Sequence, residues 1–442
     1  MPIQIIDNAP RYTIPIVQSG DLPVSKGSNM DQHELLEIPQ EEFAARREQL
    51  SQSLDGATAV VFAGKGGGLH DDFHPDLNFQ YLTGIIDEPG AILLLNPEDP
   101  NPARREMLFL EPHLPELERW DGWRGPIDAE LRTKMGFKAL MRISAFPQML
   151  LNACKVSLQG MCLHPIANHE QPLGPDLEAF QKLQQRLPGF SIKDGSRLVP
   201  LQRAVKSAAE RAMIERSAEI TSKGFEAILD VLKPGVNEFD LQEAAEHAYR
   251  SNGSRGPFYG TIVGSGFNAT ILHYRSNNAR VEDGDLVVID SGARYGIGPC
   301  GYGSDVTRTY PANGRFSDRQ KEVYSIVLES METTIAAVKP GIAYSELDSI
   351  SRKIITDAGF GDYYPHGIGH PIGLEVHDVQ PETVVPEGAI ITIEPGIYLP
   401  EEKMGIRIED DILVTADGPV NLTGNIPKTI EDIEAAMADR AR

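Results

Sequence analysis

The stretch His366-Gly-Ile-Gly-His370, Leu374-Glu-Val-His377-Asp378, Ile393-Glu394-Pro395-Gly396 and Gly405-Ile-Arg407-Ile-Glu409-Asp410-Asp411 decides the fold of this chain. Imidazoles and carboxylates alternate there with short β-branched runs. Hard oxygen and nitrogen donors carried on strands point to a metal site. A counterpart lies upstream. His377 and His273, Glu394 and Asp290, and Glu409 and Asp305 are each 104 residues apart, as are Gly388 and Gly284. The run Asp283-Gly-Asp-Leu-Val-Val-Ile-Asp290-Ser-Gly292 parallels Glu387-Gly-Ala-Ile-Ile-Thr-Ile-Glu394-Pro-Gly396. Leu232-Lys-Pro-Gly-Val236 and Val338-Lys-Pro-Gly-Ile342 each precede a helical pattern. Two carboxylates and a histidine repeating in one register predict a duplicated α+β unit, its halves facing across a shared site.

At 442 residues the chain is long for one domain, so two are expected. Residues 1–40 read as an extended arm, packed or disordered, 41–199 as a smaller α/β domain, and 200–442 as the duplicated domain. The first domain opens on a helix from Glu41 to Leu54 and a strand from Ala57 to Ala63. The following Gly64-Lys-Gly-Gly-Gly68 lacks phosphate-loop spacing and reads as a turn. Strands follow at Pro89–Leu95 and Met107–Leu110. Trp120 and Trp123 flank Asp121 in a loop, where they either line a pocket or pack in a core or interface. In the second domain, helices are predicted from Ser207 to Leu232, Gln242 to Arg250, Asp318 to Val338 and Ser345 to Ala358. Lys-Pro-Gly stops the first and third of these, because Pro cannot continue a helix and Gly permits the reversal. The helices should cover one side of a curved, mainly antiparallel sheet and leave its inner face for chemistry.

The net charge of −23 argues against nucleic acid and anionic membranes as partners, since both need positive footprints. No apolar run approaches the roughly 20 residues of a membrane helix. The start, Met1-Pro-Ile-Gln-Ile-Ile-Asp7, lacks a basic region followed by an apolar run, so no signal peptide is expected. Three cysteines, Cys154, Cys162 and Cys300, argue against a disulfide framework and fit a reducing cytoplasm. Cys300 reads as a small loop residue rather than a nucleophile.

Asp290, Asp305, His370, Glu394 and Glu409 are the candidate metal ligands. A core strand such as Leu286-Val-Val-Ile289 should not end in a buried, unpaired carboxylate, because desolvating the charge costs several kcal/mol. A cation removes that cost. Four carboxylates exceed what one ion needs, whereas two bridged divalent ions balance them. The glycines in His366-Gly-Ile-Gly-His370 and Gly373 allow close backbone approach.

Taken together, these residues resemble the pita-bread metallopeptidases, and among them the Xaa-Pro-cleaving branch of aminopeptidase P and prolidase. The resemblance covers about 200–425. It extends to Asn78-Phe-Gln-Tyr81-Leu-Thr-Gly84 and Glu88-Pro-Gly90, which are similar to that family's non-catalytic domain. It implies a pita-bread (creatinase/aminopeptidase) domain with an internal pseudo-two-fold. It also implies a dinuclear site with Asp305 and Glu409 bridging, and Mn²⁺ as the favoured ion, with Co²⁺, Zn²⁺ or Fe²⁺ able to replace it. His273, His377 and Arg407 would bind substrate or support the ligands, and Glu394 would take the proton from an activated water. The substrates implied are peptides with proline in second position. The motifs leave prolidase open, although the N-terminal motif leans towards aminopeptidase P. A homodimer or homotetramer is expected from relatives. Retention of all five ligands argues against a metal-free hydrolase or a non-catalytic binding protein of the same fold. One departure is a Gly-rich turn between Asp290 and Asp305 (Gly296, Gly298, Gly301, Gly303), longer than is usual in the family.

Overall fold

The computed structural model describes residues 36–440 other than 67–72, 113–115, 117–125, 167–169, 171 and 297–300. Trp120, Trp123, Gly67, Gly68, Gly298, Cys300 and the arm up to residue 35 lie outside the described residues. The first region runs α1 (Gln40–Ser53), β1 (Thr58–Phe62), α2 (Leu77–Thr83), β2 (Ile92–Leu95), β3 (Glu106–Leu110), α3 (Ala129–Met135), β4 (Ala139–Arg142), α4 (Phe146–Ser157), β5 (Gln159–Cys162), α5 (Pro175–Gln184) and β6 (Ser191–Asp194). The six strands form one mixed sheet in the order β4-β3-β2-β1-β5-β6. Its central strand β2 is apolar at every position, and β1 is apolar after Thr58, because both faces are covered. Val61, Leu93 and Leu108 face the larger core, while Val60, Leu94 and Phe109 face a second cluster with Leu150 of α4 and Phe180 of α5.

Helix α6 (Leu198–Arg203) leads into the second region. There α7 (Ala208–Val231) starts on a reciprocal cap, in which Ser207 Oγ accepts from Glu210 N and the Glu210 carboxylate accepts from Ser207 N. Next come α8 (Glu238–Ser251), β7 (Ile262–Ser265), β8 (Leu286–Asp290), β9 (Arg294–Tyr295), β10 (Tyr302–Gly303) and β11 (Thr307–Pro311). The second half repeats this order with α9 (Asp318–Ala337), α10 (Tyr344–Asp357), β12 (Ile390–Ile393), β13 (Gly396–Leu399), β14 (Met404–Arg407), β15 (Asp410–Thr415) and β16 (Gly418–Asn421), followed by α11 (Ile430–Arg440). All described strand pairs in this region are antiparallel. The expected α+β class, an α/β region followed by a duplicated antiparallel one, is the observed one.

The duplication is visible in the backbone hydrogen bonds. Gly235 N donates to Val281 O at 2.8 Å and Gly341 N to Val385 O at 2.8 Å, each from the glycine of a Lys-Pro-Gly. Ile262 pairs with Asp290 in the first half, and Glu394 N donates to Ile368 O in the second. The two halves differ in one pairing. Thr307 lies opposite Asp290, but Asp411 lies opposite Thr392, two residues away from Glu394. A slip of two keeps every side chain on its face, so the inward set survives it.

Candidate metal centre

Strands of both halves deliver their ends to one cavity of about 320 Å³. Its lining includes Asp290, Asp305, His370, Glu394 and Glu409, together with His273, His377 and Arg407. Asp290 closes β8, Asp305 lies two residues before β11, Glu394 follows β12, and Glu409 sits between β14 and β15. Ligand atoms of Asp305, His370 and Glu409 all come within 4.8 Å of one another. His370 Nε2 lies 3.6 Å from Asp305 Oδ2 and 3.5 Å from Glu394 Oε1. Gly369 makes this approach possible. Its φ is +157°, and a Cβ there would lie 2.1 Å from Thr392 O, within the pairing that holds His370 O to Thr392 N at 2.8 Å.

The electrostatics of this cluster call for a cation. Asp305 and Glu409 are at most 4% exposed. Burial, then Asp290, drives the Asp305 carboxyl well above the carboxylate range. Burial, then Asp305, does the same to Glu409. Burial pushes Glu394 up to about 7. His370 pairs its Nδ1 with Pro371 O at 3.1 Å, which assigns the ring proton to Nδ1. Burial, then His377, holds its pKa down near 4. The Nε2 lone pair therefore faces two carboxylates at distances that suit no hydrogen bond. Imidazole and carboxylate lone pairs converging on one buried point fit divalent ions.

Supporting groups surround the cluster. The Tyr259 hydroxyl stands between Asp290 and Asp305, 2.5 Å from Asp290 Oδ1. Arg407, 3% exposed, donates from Nη2 to Asp290 Oδ2 at 2.6 Å, from Nε to Thr307 Oγ1 at 3.1 Å and from Nη1 to the Tyr398 hydroxyl at 2.9 Å. Tyr398, having accepted from Arg407, donates a hydrogen bond from its hydroxyl to His366 Nε2 at 2.9 Å. His366 Nδ1 then donates to Gly367 O at 2.9 Å. Both nitrogens of His366 are thus engaged, and of the two histidines in His366-Gly-Ile-Gly-His370 only His370 keeps a free lone pair. Thr307 Oγ1 donates to Glu409 Oε2 at 2.7 Å. Asp411 accepts from Ser304 Oγ at 2.7 Å and from Asp305 N at 3.1 Å. The His377 ring lies on that of His370, with centroids 4.2 Å apart.

Sequence reasoning missed Tyr259, Tyr398, Thr307 and Asp411. Thr307 had a signal, since the alternation Asp305-Val-Thr307-Arg-Thr309 sends every second side chain the same way. The tyrosines had none, because their roles come from through-space neighbours.

Comparisons with known proteins agree with this architecture. Residues 212–416 match the model of metallopeptidase family M24, and residues 43–159 match the aminopeptidase P N-terminal domain. A Xaa-Pro aminopeptidase of Escherichia coli (strain K12) is 33% identical, covering 91% of this chain and 98% of its own length. A Xaa-Pro dipeptidase of Pyrococcus horikoshii is 42% identical but covers only 50% of this chain and 63% of itself. The solved aminopeptidase PepP of Pseudomonas aeruginosa superposes with a TM-score of 0.82 at 31% identity, covering 92% of this chain and 100% of that one. Convergent donors on a duplicated antiparallel domain, preceded by a matching N-terminal region, place this chain in metallopeptidase family M24.

Proposed function

We propose that this chain is a Xaa-Pro aminopeptidase, a metal-dependent exopeptidase that releases the residue preceding proline from the N-terminus of peptides. The carrying observation is the His370 Nε2 lone pair turned onto buried carboxylates inside a cavity large enough for a peptide end. Relatives named for aminopeptidase activity span both regions of the chain, whereas those named dipeptidases match about half of it. That difference does not favour the prolidase reading.

In this reading Asp290, Asp305, His370, Glu394 and Glu409 would hold two divalent ions. An oxygen-rich donor set with one imidazole suits Mn²⁺, with Co²⁺, Zn²⁺ or Fe²⁺ as substitutes. When bound, the ions supply Lewis acidity and an activated water at neutral pH. Glu394 would take the proton from the attacking water. His377 and His273 line the cavity and donate to the oxyanion that develops on the scissile carbonyl. Arg407 acts through Asp290, which it orients, rather than on the peptide. Proline lacks an N–H and bends the chain, so an apolar wall such as Ile262, Leu272 and Val376 can select it by shape. The buried free thiols of Cys154 and Cys162 support a reducing, cytoplasmic setting. A homodimer or homotetramer completes the reading, and sedimentation at working concentration tests it; a monomer would remove that part.

The direct test is to strip the protein with chelator and reload it with Mn²⁺, Co²⁺, Zn²⁺ or Fe²⁺ separately. Turnover of an Ala-Pro-Ala tripeptide should vanish and then return, most fully with Mn²⁺. Undiminished turnover in the stripped protein would contradict the reading.

A further inference from the structure

A dense cluster of buried charge outside the cavity lies where the two regions join. Arg203, at the end of α6, and Lys206, just before the Ser207 cap, are 4% and 3% exposed. Both reach one carboxylate. Arg203 Nη2 donates to Asp378 Oδ1 at 2.7 Å, and Lys206 Nζ donates to Asp378 Oδ2 at 2.9 Å. Arg203 Nη2 also donates to Glu375 Oε2 at 2.8 Å, and its Nη1 donates to Asn78 Oδ1 at 3.3 Å in α2. Apolar side chains of similar volume would hold two regions together at least as well, because buried ions lose their hydration. The cluster therefore calls for a role other than adhesion.

Its position supplies one. Asp378 follows His377 directly. The loop from Pro371 to Asp378 is closed at its ends by Asp378 N donating to Pro371 O at 2.9 Å and braced inside by Gly373 N donating to Glu375 O at 3.1 Å. It leaves from His370 and returns with the His377 ring lying on His370. The Asp378 carboxylate fits against Gly373, where a Cβ would lie 2.1 Å from Oδ2 and 3.0 Å from Lys206 Cε. Gly373 O accepts from Gly303 N at 3.3 Å, two residues before Asp305.

We infer that Arg203 and Lys206 are positioning residues for the reaction. Through Asp378 they fix the 371–378 loop, and so the His377 ring, which makes the placement of that imidazole depend on the segment joining the two regions and on Asn78. This inference rests on the reading of His377 as a group that touches substrate.

Two variants disturb the latch without deleting a charge. Arg203→Lys keeps the cation but loses the fork that spans Asp378, Glu375 and Asn78. Gly373→Ala pushes the Asp378 carboxylate off its partners. Each is assayed on a Xaa-Pro tripeptide with Mn²⁺, in the wild-type and His377→Ala backgrounds, with bound metal and melting temperature recorded. In the wild-type background kcat should fall ~10- to 100-fold, with KM and metal content unchanged. On His377→Ala the same substitutions should add no further loss, since both act on one group. Equal losses in the two backgrounds, or an unchanged kcat in the wild-type background, would overturn the positioning role alone. Absence of cleavage by the wild type would overturn the functional reading and this inference with it.

Discussion

At the scale of single residues, the chemistry turns on groups whose charge is unwelcome until a cation arrives. Glu394 holds its proton up to about 7 against an ordinary 4.5 because it is buried. Its pKa is raised on folding, so its contribution to stability is complete below about pH 4.5 and lost as pH rises through about 7. The metal-stripped protein should therefore melt at falling temperature across that window. Added divalent ion, which binds the ionised ligands, should raise the melting temperature more at about pH 8 than at about pH 5. A stripped protein whose melting temperature is flat across the window would contradict this. In the loaded enzyme, Glu394→Gln should abolish turnover and weaken metal retention. His377→Ala should lower kcat by ~10²–10³-fold as an oxyanion donor. Retained turnover in the first variant, or a change confined to KM in the second, would remove the assigned role. Four of the five candidate ligands stand out in the sequence because Asp290 and Glu394, and Asp305 and Glu409, recur at one offset; His370, whose counterpart there is Gly266, stands out by its place in His366-Gly-Ile-Gly-His370. Tyr259, and the tie of Arg407 to Asp290, were not legible there, because each is a contact between segments 31 and 117 residues apart.

At the scale of elements, helices read well because their signals are local. Ser207 with Glu210 and Ser317 with Gln320 are capping pairs three residues apart, and both caps form. Strand pairing has no such local signal. The two-residue slip of β15 against β12 is invisible to a period-two pattern, which is unchanged by it. One junction in the first region carries its own pH signature. His164, just after β5, places Nε2 3.2 Å from Asp76 Oδ2 at the cap of α2 and Nδ1 3.2 Å from Asp176 Oδ2 at the start of α5. The Asp176 carboxylate first, and Asp76 second, raise its pKa from 6.5 to about 10. The stabilisation is full below about pH 6.5 and lost as pH climbs through about 10. Thermal melts across that range should show a decline in the wild type that His164→Gln flattens. Parallel profiles for the two proteins would rule out His164 as the source.

At the scale of the whole molecule, the two-region plan and the duplicated second region were legible because repetition survives in the Gly and Lys-Pro-Gly punctuation. The joint between the regions was not. Nothing in Leu198–Ser207 announces that Arg203 and Lys206 will converge on a carboxylate some 170 residues away, since ion pairs leave no periodic trace. Nor does the sequence foretell that the larger core runs unbroken from Leu93 in the first sheet to Val287 in the second region. That continuity gives the first region a physical means of influencing the cavity, although it contributes none of the five candidate ligands.

The central claim is tested most directly by product analysis of the Mn²⁺-loaded protein on three peptides, Ala-Pro-Ala, Ala-Pro and Ala-Ala-Ala. Release of alanine and Pro-Ala from the first, with little or no cleavage of the third, is the predicted result. Cleavage of Ala-Pro alone would mean a pocket closed behind proline and a dipeptidase, and cleavage of none of the three with metal confirmed in place would contradict the account.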